Sequence, residues 1–228
     1  CDWDRERFTM DEGCNKAVTE VFCKMHKKGW IYKGSRIINW CPVCKTSISD
    51  AEVQYEEQKG HFWHMKYPLL NEDGTVSDTE FLEFATTRPE TMFGDVCIVV
   101  NPNDDKVKHL IGHKAINPAN GDVLPIIGDE YIEIGFGTGI MKCTPAHDPN
   151  DYEVGQRCNL PIVRVFTYDG HMTGAADVAA YEELKAKGSL AENEPEVLDC
   201  GKYAGMDTMT ARKAIVADLE VLGQLKEV

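Results

Sequence analysis

Two carboxylates sit three residues apart beside a histidine in TPAHDPNDYEVG, residues 144–155. Asp148 followed by Pro149 has the form of a helix N-cap with proline at the first helical position. Asp151 then falls in the first turn, where free amides and the helix macrodipole favour a negative charge. The pair therefore has two readings: a well-formed helix start, or a site for a positively charged group. His147 alone is more often a structural hydrogen-bonder than a base. Cys143 lies four residues before it, but a strand-to-loop passage separates the two, which argues against a thiol nucleophile. No G-x-S-x-G elbow occurs in the chain.

Three further clusters could carry chemistry. GFGTG at 135–139 lacks the spacing of a dinucleotide fingerprint and is followed by the strand-like IMKCT, not by a helix. Glycine allowing close backbone approach in a bent strand is the better reading. Period two would then place Phe136, Thr138, Ile140, Lys142 and Thr144 on one face, either a pocket wall or an exposed face. FATTRPETMFGD at 84–95 puts Thr86, Thr87, Arg88, Pro89 and Glu90 at the end of an alternating strand. Strand ends often carry sites, although an Arg88–Glu90 pair in an ordinary loop would look the same. Cys41-Pro-Val-Cys44 has the spacing of half a tetrahedral zinc site. The chain has no second C-x-x-C, and no histidine pair of suitable spacing follows Cys44 at the usual interval. Two thiols in a turn, or a half-site completed by residues outside this chain, are the readings that remain; the second is preferred.

These residues must be positioned by a core. The 228 residues are 43% hydrophobic and 27% charged, enough for one large domain or a domain with a small appendage. No apolar run approaches the ~18 residues that span a membrane. The N-terminus resembles no signal peptide, and the lack of an initiator methionine suggests a piece of something longer. Nine scattered cysteines suggest a reducing, cytoplasmic setting. The net charge is −14, yet residues 1–60 hold ten acidic and ten basic side chains, so the acid excess lies beyond them. That disfavours a general phosphate-gripping surface, but not a pocket that takes the tip of a nucleic acid.

Periodicity predicts a helix over 11–28, with Val18, Val21, Phe22 and Met25 on one face. Strands are expected at HFWHMKYPL, FLEFATT and VCIVV, with a strand pair or bent strand over 131–145 and another strand at NLPIVRVFTYDG. AADVAAYEELKAKG and TMTARKAIVADLEVLGQL read as helices, the second with Ile215, Leu219 and Leu222 on one face. Three segments follow: 1–60, a lead-in helix and cysteine-containing half ribbon; 61–172, a β-rich core; 173–228, a helical lead-out with an acidic insertion, all within one structural domain. The fold class is mixed α and β, a β-barrel-like core of short strands with helices at both ends.

Taken together, ATTRPETMFGD, VCIVVNPND, HLIGHKAINP and IIGDEYIEIGFGTGIMKCTPAHDPNDYEVG resemble the editing domain (connective peptide) inserted in the valyl-tRNA synthetases, of the class I aminoacyl-tRNA synthetases. The flanks DWDRERFTMDEG, NWCPVCKTSISDAEVQYEE and YAGMDTMTARKAIVADLEVLG resemble the segments leading in and out. The isoleucyl domain usually has TTTPWT where this chain has TTRPET, and the leucyl domain continues differently after PAHD. Residues 175–200 look longer than the family's usual turn.

The resemblance implies a deacylase: hydrolysis of the ester joining threonine to the terminal adenosine of valine tRNA. It implies that Asp151 holds the substrate α-ammonium, with Asp148, Lys142 and Thr144 in the same pocket. Phe136 would pack on the amino acid, His147 would lie at the site, and Thr86, Thr87, Arg88, Pro89 and Glu90 would form the facing wall. The nucleophile is expected to be a positioned water. Editing itself needs no cofactor; zinc could be held through Cys41 and Cys44 in the full-length enzyme, and ATP and Mg belong to a synthetic site outside this chain. The expected partners are the aminoacylated 3′ end of valine tRNA and the remaining synthetase domains in cis, with no DNA and no membrane. Alternatives are a leucyl- or isoleucyl-type editing domain, a structural insertion without editing, and a non-catalytic zinc-ribbon module that binds nucleic acid.

Overall fold

The computed structural model describes residues 2–57, 59–71, 73–191 and 194–226. The chain divides into two compact units, Cys1–Ser35 and Arg36–Val228. In the first unit, helix α1 (Glu12–Lys27) begins at Asp11, whose side chain accepts from the Cys14 amide at 2.7 Å. Lys24, His26 and Lys27 occupy its last turn, where cations suit the dipole. The predicted apolar stripe is present, but Val18, Val21 and Phe22 are exposed.

The second unit begins with a hairpin, β1 (Asn39–Cys41) and β2 (Thr46–Ile48), whose turn carries the cysteine pair. Lys45, at φ 54°, lets the turn close. The body of the unit is one six-stranded sheet. Its strands are β3 (Trp63–Leu70), β4 (Val76–Thr86), β5 (Cys97–Val100), β6 (Lys114–Ile116), β7 (Val123–Gly128) and β8 (Ile140–Cys143), in the order β4-β3-β6-β7-β5-β8. All neighbours are antiparallel except β5 and β7. Alternation works as expected in β3 and β4: Met65, Tyr67, Leu82 and Phe84 point into the core. All four residues of β5 are buried, as a continuous apolar run between two partners requires. The sheet curls into a half-barrel that brings the edge strands β4 and β8 near one another without pairing them.

Helix α2 (Pro149–Cys158) follows β8. Then come β9 (Val163–Arg164), α3 (Ala175–Ala186), β10 (Glu196–Val197, parallel to β9) and α4 (Thr208–Val221). Helix α4 buries Ala211, Ile215 and Leu219. Leu222 does not join that face: it is the C-cap and is 61% exposed. The chain then returns to β3. Met65 bridges Leu225, the Lys66 amide donates to the Gln224 carbonyl at 2.9 Å, and the Lys226 amide donates to the His64 carbonyl at 2.8 Å.

Two strand expectations fail: of NLPIVRVFTYDG only Val163–Arg164 is strand, and the strand expected over 131–145 is mostly turns. Residues 131–139 are turns, and only Ile140–Cys143 is strand. Gly135, Gly137 and Gly139 all have positive φ, at 89°, 55° and 74°, a region L side chains avoid, so three left-handed steps curl the backbone where an extended chain was expected. Phe136 and Thr138 therefore share no strand face with Ile140 and Lys142. In the predicted acidic insertion, Glu192 and Asn193 lie outside the described residues, and Glu196–Val197 forms a strand. Among the described residues no helix is long and apolar enough to cross a membrane.

Candidate functional site

A cleft of about 720 Å³ opens where the end of β4 faces β8 and the start of α2. One wall is Thr86, Thr87 and Arg88. The opposite wall is His147, Asp148 and Asp151. Lys142, Thr144 and Thr91 lie at its base, and Phe136 and Thr138 reach it from the glycine turns. Residues some 60 positions apart thus meet because the sheet curls. Arg88 straps the walls together: its amide donates to Thr86 Oγ1 at 3.1 Å and its Nη1 to the His147 carbonyl at 2.9 Å.

The helix start is as the sequence predicts. Asp148 is the N-cap and accepts from the amides of Asn150 at 2.8 Å and Asp151 at 3.2 Å. Asp151 is 7% exposed, and its Oδ2 accepts from the Thr144 amide at 2.8 Å. Burial is the main cause that raises its pKa from 3.8 to about 6; the neighbouring carboxylates Asp148 and Asp95 push the same way, while the Thr144 amide and Lys142 oppose them. A carboxylate this poorly solvated gains from an incoming cation.

Lys142 is buried, and its ammonium meets three oxygens: Asp95 Oδ1 at 2.9 Å, Thr91 Oγ1 at 3.0 Å and Thr144 Oγ1 at 2.5 Å. Thr144 Oγ1 donates in turn to Asp95 Oδ1 at 3.0 Å, and Tyr67 Oη donates to Asp95 Oδ2 at 2.7 Å. Burial pushes the Asp95 carboxyl upward, and Lys142 leads the groups pulling against it. With its donors engaged, Lys142 organises the base of the cleft and fixes Thr144.

His147 is held neutral. Burial, aided by the charges of Arg88, Lys142 and Arg164, lowers its pKa to about 3. Its Nε2 accepts from the Val165 amide at 3.1 Å, and its ring meets Phe166 edge-on at 4.8 Å between centroids. An accepting Nε2 places the proton on Nδ1 in the neutral ring. His147 is thus the structural hydrogen-bonder that the sequence suggested.

Two expected wall residues lie elsewhere. Pro89 and Glu90 belong to the buried 3₁₀ turn Pro89–Gly94 and do not line the cleft. Glu90, 1% exposed, accepts two bonds from Arg212 of α4, at 2.7 and 2.8 Å, and lies 3.5 Å from Arg88 Nε. The Arg88–Glu90 pair considered for an ordinary loop does form, and its acidic half is a structural clamp. Asp95, Thr91 and Tyr67 were missed in the sequence. A lone lysine in an apolar strand requires a buried anion, and Asp95, at the junction of a glycine turn and β5, is the carboxylate available to answer it.

In the β1–β2 turn, the Cys44 amide approaches Cys41 Sγ at 3.4 Å. The amides of Cys44 and Val43 lower the Cys41 pKa, while the facing thiol raises that of Cys44. This chemistry suits one thiolate donor and a second beside it. Among the described residues no group of three or more His, Cys, Asp or Glu could hold a metal ion.

The sequence model described as tRNA synthetases class I (I, L, M and V) matches residues 1–216. The chain belongs to that family. Among named relatives it is similar to the valine–tRNA ligases of Clostridium tetani (strain Massachusetts / E88), 48% identical over 227 residues, and Clostridium perfringens (strain 13 / Type A), 47% identical over 227 residues. Both alignments cover 100% of this chain and 22% of the relative, so the chain spans about a fifth of their length. A solved structure, the ternary complex of Agrobacterium radiobacter K84 agnB2 LeuRS-tRNA-LeuAMS, aligns with 96% of this chain and 32% of its own at a TM-score of 0.46 and 16% identity.

Proposed function

We propose that the cleft is the editing site of a valyl-tRNA synthetase, hydrolysing the ester of threonyl-tRNA(Val). The observation that carries this reading is Asp151: a nearly buried carboxylate, fixed by the Thr144 amide at 2.8 Å, on the wall of a cleft sized for an amino acid and a nucleoside. A synthetic pocket shaped for valine cannot strongly reject the near-isosteric threonine, the established example of that limit. A second site solves the problem by offering polar partners that threonine satisfies and valine leaves unpaired, at a cost of ~1–3 kcal/mol for each orphaned group. The identity to valine–tRNA ligases over the whole chain supports the valyl assignment over the leucyl and isoleucyl ones.

Asp151 binds the α-ammonium and the threonine hydroxyl. Thr144 is locked by Lys142 and Asp95, so the cleft's base does not reorganise as substrate enters. Arg88 and Thr87 face the adenosine, and Phe136, 77% exposed, covers the amino acid from the glycine turns. His147, neutral and committed to Val165, is not the base. A water positioned between these walls attacks the ester carbonyl, and the ribose oxygen leaves with the proton. Cys41 and Cys44 would serve as half of a zinc site whose other ligands come from elsewhere in the synthetase. A bound zinc there would tie the hairpin down and supplies no step of the hydrolysis.

Calorimetry with a non-hydrolysable threonyl-adenosine analogue, run beside its valyl counterpart, tests the reading. Binding of the threonyl form alone is expected. Preference for the valyl form, or loss of neither affinity nor deacylation in Asp151→Ala with unchanged circular dichroism, would overturn it.

A further inference from the structure

Tyr131 lines the cleft in the field of Asp148 and Asp151, just ahead of the glycine turns that bring Phe136 to the same opening. Its backbone is fixed from both sides. The Tyr131 amide donates to Asp129 Oδ1 at 2.8 Å, and the carbonyl of buried Ile132 accepts from Asn101 Nδ2 at 2.6 Å. Asp129 is itself gripped by Arg157 through two bonds, at 3.0 and 3.2 Å. Arg157 stands in the last turn of α2 and Asp151 in the first. Tyr131 and Asp151 are therefore keyed to one helix.

The phenol is placed but uncommitted. Tyr131 is 45% exposed, and its hydroxyl enters no hydrogen bond among the described residues. Burial raises its pKa; the carboxylates of Asp148, Asp151 and Glu153 push the same way, and Arg157 opposes them. The group therefore keeps its proton and remains a donor. Other donors around the cleft are spent on the protein. Lys142 gives its bonds to Asp95, Thr91 and Thr144, and Thr144 Oγ1 gives its own to Asp95. Arg88 Nη1 serves the His147 carbonyl, and Thr138 Oγ1 that of Ile140. An alcohol asks for both kinds of partner, an acceptor for its proton and a donor for its oxygen. Asp151, as a carboxylate, can only accept, so on its own it would leave the threonine oxygen without a donor.

We propose that Tyr131 is a specificity-determining residue: its phenol donates to the side-chain oxygen of threonine while Asp151 accepts the proton of that same hydroxyl. The proposal rests on the editing reading and adds to it the second partner of the hydroxyl. An α-ammonium has donors only, so Tyr131 as a donor does not serve it. Removing the phenol hydroxyl should therefore weaken recognition of the substrate hydroxyl and leave that of the ammonium intact.

The test is calorimetry on the full 228-residue chain with two non-hydrolysable probes, threonyl-adenosine and α-aminobutyryl-adenosine, which share a carbon skeleton and differ by the hydroxyl. The unsubstituted chain is expected to prefer the threonyl probe. Tyr131→Phe keeps the ring and should weaken threonyl binding by roughly three- to tenfold, the scale of one neutral hydrogen bond. Its affinity for the aminobutyryl probe and its urea midpoint should not move, since the lost hydroxyl has no partner in the protein. Asp151→Asn, by contrast, should weaken both probes, because the ammonium loses its carboxylate. A threonyl preference that survives Tyr131→Phe would overturn the proposal and leave the editing reading standing. An equal loss for both probes would mark Tyr131 as merely structural and overturn it too. Equal binding of the two probes by the unsubstituted chain would show that the cleft reads no hydroxyl, which also refutes it. Binding of neither probe would sink the editing reading, and the proposal with it.

Discussion

Asp151 costs its fold stability while offering the proposed site a carboxylate. Its folded pKa of about 6 lies above the ordinary 3.8, so the folded state binds the proton more tightly than the unfolded chain. Stability therefore falls as pH rises from about 4 to about 6, and above that window ionised Asp151 costs up to about 3 kcal/mol. Asp151→Asn should raise the urea midpoint at pH 7 and lose that advantage below pH 4. The same variant should weaken threonyl-adenosine binding by about ten- to a hundredfold, the scale of one charged hydrogen bond. In the unsubstituted chain, that affinity should fall as pH drops below about 6, and the fall should vanish in Asp151→Asn. Asp95 presents the opposite case. Its substitution by Asn strands the buried ammonium of Lys142, and a loss of about 3–5 kcal/mol in denaturant titration is expected. A loss under 1 kcal/mol would mean that Thr91 and Thr144 suffice as partners.

At the scale of elements, the sequence disclosed what is local and concealed what is made by curling. Local signals placed α1 within a residue and the starts of α2 and α4, where Asp11, Asp148 and Asp207 satisfy amides a few positions away, but the sequence reading ran α4 to residue 225 and the helix ends at Val221. Alternation placed β3 and β4. Residues 131–139 were misread because aromatic and β-branched residues between glycines imitate a strand, and nothing local reveals that three of those glycines are left-handed. Most of the candidate cleft was legible through family resemblance; Asp95 and the inward turn of Glu90 were not, since both depend on partners 47 and 122 residues away. The Glu90–Arg212 fork clamps α4 onto the turn that carries Thr91. Arg212→Ala should destabilise the chain by about 3–5 kcal/mol, and Arg212→Lys should restore only part of it, because an ammonium cannot present two parallel donors to one carboxylate. Urea unfolding of the two variants separates the fork from simple charge.

For the molecule as a whole, the division into Cys1–Ser35 and Arg36–Val228 places every residue of the cleft in the second unit. Residues 36–228 alone should fold, with the same far-ultraviolet signature apart from α1, and should bind threonyl-adenosine as the full chain does. A collapsed or aggregating product would show that the first unit is needed for folding. Val18, Val21 and Phe22 are exposed on α1, so the shorter chain should also be the more soluble one. Elemental analysis should find zinc well below one per chain, since Cys41 and Cys44 are two ligands where a closed site needs four.

The pairing of Lys66 with Gln224 and of Lys226 with His64 has a topological consequence. The chain enters the half-barrel along β3 and leaves it through a segment bridged to β3, so the two crossing points are about a strand's width, ~5 Å, apart. An excursion of some 160 residues thus departs from and returns to nearly one point. A host fold could accept it at a single surface turn without spreading its own backbone, and a covalent joint between these crossing points, with new ends opened at the surface beyond α3, would leave the architecture unbroken.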